Sequence, residues 1–390
     1  MVTEVTSVSW FGRIRESFKT FVVGLGFFVF AFPILWWNEG RAVRTEKSLK
    51  EGQGAVITVP ADRVNPANNL KLVHLTGRAT TEETLSDPEF LVAATNAIKL
   101  RRRVEMYQWE QNEHTETRKK VGGGEERITT YSYSKTWSDR PIDSSSFKES
   151  GHDNPQAMMF ENRTADAQHV TLGAFTLTPS LLSKLDDYEP IQLTEQHLAA
   201  LPVAIKSKVK LAENTFYAGD PQSPSIGDTR VSFAAVKPAD VTVVSKQNGG
   251  TFEPYRASAG MDIEMLKRGV FTAQAMFESA LRENTIMTWI LRAVGFLVMF
   301  IGLAMFFRPI SVLGDVIPFV GSMLAFGTGL FAFVVAGVLS VSTIGVAWIA
   351  YRPVLGMTLL SLAIASLVWF AVRGRKRVAG GAVANTAAAT

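Results

Sequence analysis

Between Val316 and Tyr351 the chain carries no charged residue, and the same holds from Thr20 to Asn38 and from Pro353 to Val372. A helix needs roughly 20 consecutive apolar residues to cross the ~30 Å hydrocarbon core of a bilayer. Runs of this length and composition are at home in lipid, so the sequence is that of an integral membrane protein. Overall composition hides this, because a hydrophobic content of 47% is ordinary for a globular protein. The stretch from Glu39 to Glu283 is densely charged and reads as a water-soluble domain. At about 250 residues it is large enough to fold around its own core.

The first expected span is residues 20–37. Ahead of it, Trp10, Ile14, Phe18 and Phe21 share one helical face opposite Arg13 and Glu16. Residues 1–19 therefore read as a cytosolic, amphipathic lead-in with an interfacial helix over 9–19. Trp36 and Trp37 stand at the far end, where an aromatic belt is expected. The run ends without a small-x-small cleavage site, which favours an uncleaved anchor over a signal peptide. The second expected span is residues 286–307, with Trp289 and Trp10 as further interface anchors and Arg292 placed to snorkel outward. Met276, Phe277, Ala280 and Leu281 form an apolar stripe that predicts a helix leading into this span.

Two partitions fit residues 316–372, because a proline can kink a helix or end it. One places a span at 316–339, a turn near Ser340–Thr343 and a long helix to 372 kinked at Pro353. The other places 309–325 at the interface, a span within 326–350, a turn at Tyr351-Arg352-Pro353 and a last span at 354–372. Both predict four spans, one N-terminal and three C-terminal, in an α+β membrane protein whose β-rich domain (38–285) lies between the first and second. An even count puts both termini on one side. Arg13, Arg15 and Lys19 precede the first span, and Arg373, Arg375, Lys376 and Arg377 open the tail 373–390. Positive residues stay cytoplasmic. The expected topology thus has cytosolic termini and a lumenal or periplasmic domain, with the tail cluster as a cytosolic contact for anionic lipid.

In the domain, residues 54–59, 70–75, 169–177, 229–236 and 241–246 predict strands, and 101–137 predicts a long hairpin with Gly122-Gly-Gly124 at its tip. Residues 178–201 look helical, with Ser180 and Thr194 as candidate caps. Chemistry is harder to find. The absence of cysteine excludes disulfides, thiolate metal sites and cysteine nucleophiles. No phosphate-binding loop, dinucleotide fingerprint or nucleophile elbow occurs. The net charge of +4 is gathered behind the last apolar run rather than along a folded face, so nucleic acid is not an expected partner. His152-Asp153 is the nearest metal or acid–base candidate, Asp186, Asp187 and Glu189 the nearest cation cluster, and Asn162-Arg-Thr164 a glycosylation sequon; a turn, an exposed acidic face and chance account for them as well. No catalytic, cofactor or metal residue is assigned. Candidate intramembrane or interfacial polar residues are Arg308, Asp315 and Arg352. Small residues such as Gly321, Gly327, Gly329, Gly337 and Gly345 predict close helix packing.

Ser9-Trp-Phe11, Pro33-Ile-Leu-Trp-Trp-Asn-Glu-Gly-Arg-Ala-Val-Arg44, Arg103-Val-Glu-Met-Tyr-Gln-Trp109, Ile226-Gly-Asp-Thr-Arg-Val-Ser-Phe233, Asp315-Val-Ile-Pro-Phe-Val-Gly321 and Tyr351-Arg-Pro353 together resemble the transmembrane protein 43, or LUMA, family. The resemblance implies four spans with the large domain between the first two. It also implies the endoplasmic reticulum and inner nuclear membrane as the setting of similar animal proteins, which self-associate and bind emerin and lamins. It supplies no catalytic residues. The Ala-rich tail from Ala379 to Thr390 departs from the family and suggests a bacterial homologue in a cytoplasmic membrane. The function expected is a non-enzymatic scaffold that self-associates and organises lipid or membrane and envelope proteins. A channel or transporter component, and a membrane-bound enzyme acting on lipid or envelope material, are the alternatives.

Overall fold

The computed structural model describes residues 2–354, 356–358 and 361. They form two units. One holds residues 2–8, 48–120 and 125–281, the other 9–47, 121–124 and the described residues from 282 onward.

The first unit is β-rich. Its larger sheet runs Val2–Val8, Glu125–Ser138, Lys99–Lys119, Thr229–Val236, Thr215–Ala218 and Lys210–Ala212, all antiparallel, with two short strands added at its flanks. The second sheet is built on Leu72–Thr80 paired with Ala239–Asn248. The period-2 pattern of Thr229–Val236 explains its place: Val231, Phe233 and Ala235 are buried while alternate residues turn outward. Phe90, Phe216 and Phe233 meet between the sheets with ring centroids 5.7–6.3 Å apart, and Phe160 closes on Phe90 at 4.9 Å. Burying aromatic rings of this size dominates the energetics of such a core.

The expected hairpin is present as Lys99–Lys119 and Glu125–Ser138, with Gly122 and Gly123 at φ +91° and +81° in the turn. Only glycine takes that conformation freely. The N-terminal strand Val2–Val8 pairs with the return arm, from Val2 opposite Tyr131 to Val8 opposite Glu125. Where 54–59 predicted a strand, helix α1 (Trp10–Ala55) runs on and leaves only Ile57–Thr58 extended. Leu49 is buried among Leu72, Val244, Ile263, Met276 and Phe277, and that packing holds the last turns helical. Residues 178–201 are not one helix. They divide into α2 (Pro179–Leu182), a strand at Glu189–Pro190 and α3 (Glu195–Ala200), followed by α4 (Val203–Lys206). Pro190 lacks the amide a helix needs and turns its predecessor to extended backbone. Thr178 rather than Ser180 caps α2, accepting from the Leu181 amide, while Ser180 bonds Glu264. Thr194 is the N-cap of α3 as expected.

The second unit is helical. Its candidate membrane spans are α1, α5 (Ala273–Gly314) and α6 (Pro318–Tyr351). Lead-in and span are continuous in α1 and α5. Met276 and Phe277 of the expected stripe are fully buried. Helix α6 passes through Ser340–Thr343 unbroken and ends at Tyr351, because no residue there removes an amide until Pro353. Residues 309–325 finish α5 and begin α6. The expected fourth span, residues 354–372, and the tail after it lie outside the described residues, apart from 354, 356–358 and 361.

Close helix packing occurs at some of the small residues of α6, with Ala332, Ala336 and Ser340 buried and Gly321 pressed against Asp315, and also between α1 and α5. A Cβ on Gly24 would meet Met305 Cβ at 2.6 Å, and one on Gly302 would meet the Phe28 amide nitrogen at 2.5 Å. Gly24 and Gly302 thus bring α1 and α5 into backbone contact. Gly327, Gly329 and Gly345 of α6 face open space.

Candidate functional site

The polar side chains of the helical unit gather in layers at the two ends of its apolar zone. The first layer is built on Glu39, whose side chain is 1% exposed. A carboxylate so deprived of water must be paired and hydrogen-bonded. Arg292 of α5 supplies a two-pronged ion pair, Nε to Oε1 at 2.7 Å and Nη2 to Oε2 at 2.9 Å. Trp348 of α6 donates its Nε1 proton to Oε2 at 2.8 Å. The Arg292 guanidinium also lies 4.7 Å from the Trp289 ring centroid and 5.6 Å from that of Trp348, within cation–π range. Arg292 therefore turns inward rather than snorkelling, because the bidentate fork satisfies both groups. Beside it Asn38 Nδ2 donates to Thr288 O at 3.1 Å and Arg41 Nη1 to Asn284 Oδ1 at 3.0 Å.

The second layer joins the start of α1 to the α5–α6 connection. Arg13 pairs with Asp315 at 2.5 Å, and both side chains are nearly buried, at 7% and 2% exposed. Arg13 Nη1 donates to Gly123 O at 2.6 Å, Trp10 Nε1 to Val312 O at 3.0 Å, and the Gly122 amide to Val316 O at 3.1 Å. Gly321 is required here, since a Cβ would lie 1.7 Å from Asp315 Oδ1.

Of the sequence candidates, Asp315 is thus paired with Arg13, and Arg352 pairs with Glu46 at 2.5 Å. Arg308 is exposed and makes no ion pair among the described residues. The structure does not bring these three together. Trp36, Trp37 and Trp289 are exposed on the helices, whereas Trp10 is partly buried in the second layer. Arg373, Arg375, Lys376 and Arg377 lie outside the described residues. Sequence reasoning missed Arg13, Glu39, Glu46 and Trp348 as partners. The available signal was Glu39 and Arg292 standing alone beside long apolar runs, since such charges need counterparts.

In the β-rich unit, His152 stacks on Tyr133 at 3.9 Å between centroids and meets Trp109 edge-on at 4.5 Å, an aromatic packing site rather than a metal ligand set. Glu189 is held between Arg268 and Lys237, which keep its carboxyl below the usual range. No cluster of three or more His, Asp or Glu able to hold a metal occurs among the described residues. Asn162 of the sequon uses its side chain on the Val104 amide (2.8 Å) and Asp139 O (3.1 Å). Burial beside Asp228 pushes the Tyr217 hydroxyl up to about 12, so it stays a neutral donor at physiological pH.

The model of the family described as Transmembrane protein 43 matches residues 106–353. Transmembrane protein 43 of Homo sapiens is 34% identical over 369 residues, covering 91% of this chain and 90% of the relative. This chain belongs to the transmembrane protein 43 family. The Pongo abelii protein of that name is 34% identical over 91% of the chain, and a Drosophila melanogaster homolog 30% identical over 92%. No solved structure matches. The family membership accords with a multi-pass membrane protein bearing an N-terminal candidate span, two C-terminal ones and a large β-rich unit.

Proposed function

We propose that this member of the transmembrane protein 43 family is a non-enzymatic membrane scaffold that self-associates and organises lipids and membrane or envelope proteins around it. The observation that carries this reading is the Glu39–Arg292–Trp348 tie. Glu39 of α1, Arg292 of α5 and Trp348 of α6 are bound to one another across three helices, as supports of a rigid frame rather than as an open reactive site. Gly327, Gly329 and Gly345 meanwhile leave one helix free to approach a neighbouring copy closely. Native mass spectrometry in nanodiscs tests this. Oligomers retaining lipid are expected; a strictly monomeric, lipid-free protein overturns it.

The proposal includes a fourth span at 354–372, cytosolic termini and a β-rich unit whose main sheets are lumenal or periplasmic. The membrane is the cytoplasmic one in a bacterium, or the endoplasmic reticulum and inner nuclear membrane in an animal cell. The chain has no native cysteine, so single cysteines report sidedness cleanly. In sealed vesicles, Lys208→Cys should react with an impermeant maleimide from the lumenal or periplasmic face and Ala379→Cys from the cytosolic one. Labelling of both from one face would sink the proposed topology.

A further inference from the structure

We infer that the cleft where strand Lys99–Lys119 changes partner binds a phosphate group, carried either by an anionic lipid headgroup or by a soluble phosphate. Strand Glu125–Ser138 covers one edge of Lys99–Lys119 as far as Ser138, opposite Met106. Strand Arg163–Asp166 takes over at Arg163, opposite Arg102. Among the described residues, 103–105 therefore have no strand beside them on that edge. Asn162 bridges the break: its Oδ1 accepts from the Val104 amide at 2.8 Å and its Nδ2 donates to Asp139 O at 3.1 Å. What is left is an open cleft of about 380 Å³ lined by Arg101, Arg102, Arg103, Arg163, Thr164 and Asp139.

Four arginines face one aspartate there, and the fold neutralises only part of that charge. Arg102 is buried and satisfied, with Nη1 2.9 Å from Asp87 Oδ1 and 2.7 Å from Glu89 Oε2. Arg103 shares Glu105 with Arg230. Asp139 lies 3.7 Å from Arg140 rather than on a cleft arginine. Arg101 and Arg163 are exposed and make no ion pair among the described residues. Asp166 and Asp186 lie close enough to act on Tyr188, yet neither reaches ion-pairing distance of Arg101. The Arg101 guanidinium instead lies over the Tyr188 ring, 3.9 Å from its centroid. Stacking uses the face of the group and leaves the N–H donors at its edge free. Arg163 stands directly opposite Arg102 in the strand pairing, a juxtaposition of like charge that an anion relieves.

The chemistry of the donors selects phosphate. Guanidinium forks match phosphate oxygens two at a time, and a dianion answers both unpaired charges where a single carboxylate answers one. Thr164 is exposed on the same rim and adds a hydroxyl donor. The lining side chains are polar, so a lipid would enter by its headgroup alone.

The test uses the full chain in nanodiscs. In phosphatidylcholine discs, titration calorimetry with inorganic pyrophosphate reads the soluble source. In discs that also contain phosphatidic acid, native mass spectrometry reads lipid retained on release from the disc. Arg101→Gln with Arg163→Gln should weaken pyrophosphate binding by about tenfold or more, or abolish phosphatidic acid retention, as losing charged hydrogen bonds predicts. Arg118→Gln with Arg140→Gln removes two exposed charges outside the cleft and should leave both readouts unchanged. Pyrophosphate binding alone makes the ligand a soluble phosphate, and lipid retention alone makes it a headgroup; both together make the site open to either. No binding in either arm, or an equal loss in the control pair, overturns the site. The replaced side chains are exposed, so the glutamine pair should melt with the parent chain. If it melts lower, Arg101→Lys with Arg163→Lys decides: it keeps the charges and loses the forks, so affinity should fall several-fold, and an unchanged affinity overturns the site.

Discussion

Replacing Arg292 by alanine should destabilise the helical unit by about 3–5 kcal/mol, because it leaves a buried carboxylate without its counter-charge. Glu39 has almost no exposed surface, so neither water nor a rotamer change can rescue it. Trp348 would remain as a single hydrogen-bond partner, worth about 1.5–3 kcal/mol to a charged group and far short of the loss. The readout is the apparent melting temperature of the full chain in detergent, followed by tryptophan fluorescence. A decisive comparison is the double substitution Glu39→Leu with Arg292→Met. It removes both charges and keeps apolar volume, so it should recover most of the stability. If the double variant melted as low as Arg292→Ala, the pair would matter for shape rather than for charge, and the account of the layer would be wrong. Glu39→Gln alone should fall between, since the amide still accepts from Trp348 but leaves Arg292 half satisfied.

The membrane segments were legible because lipid imposes one simple demand, length without charge. The strand 229–236 and the hairpin were legible because alternation and a glycine tip are local signals. What failed depended on contacts far apart in sequence. Gly54 and Ala55 stay helical through the burial of Leu49 against Phe277, a contact no local pattern records. Ser340–Thr343 looked like a turn because serine and threonine favour turns in water. In an apolar helix the Thr343 hydroxyl instead bonds Leu339 O at 2.7 Å and leaves the backbone helical. Of the glycines that stand out in α6, Gly321 is in close contact, whereas Gly24 and Gly302, one from each of two helices, carry a backbone contact that no local count of small residues reveals. Arg292 reads from the sequence as an interfacial residue because its partner, Glu39, lies 253 positions away. Asp315 stands out in the sequence but Arg13 as its partner does not, because an amphipathic lead-in with basic residues is already explained by topology. The family resemblance extended across all these regions and predicted their order, without predicting which charges meet.

Asp315→Ala should have the second large effect, about 3 kcal/mol, from leaving the buried Arg13 charge without its partner. The consequence is also local. Arg13 is held by Asp315 on one side and holds the hairpin loop on the other, so freeing it loosens Val121–Gly124. Trypsin cutting after Lys119 and Lys120 should therefore accelerate in Asp315→Ala. Gly321→Val offers an independent route to the same state. Its Cβ would occupy the space of Asp315 Oδ1 and push the carboxylate away without removing it. Arg13→Met with Asp315→Leu should restore some stability but not the protection of the loop, since Gly123 O loses its donor. This split between stability and loop protection is what a clasp predicts and a mere buried charge pair does not. Unchanged cleavage at Lys120 in both Asp315→Ala and Gly321→Val would mean that the loop is held by its glycine turn alone and that Arg13 serves only α1 and the α5–α6 connection.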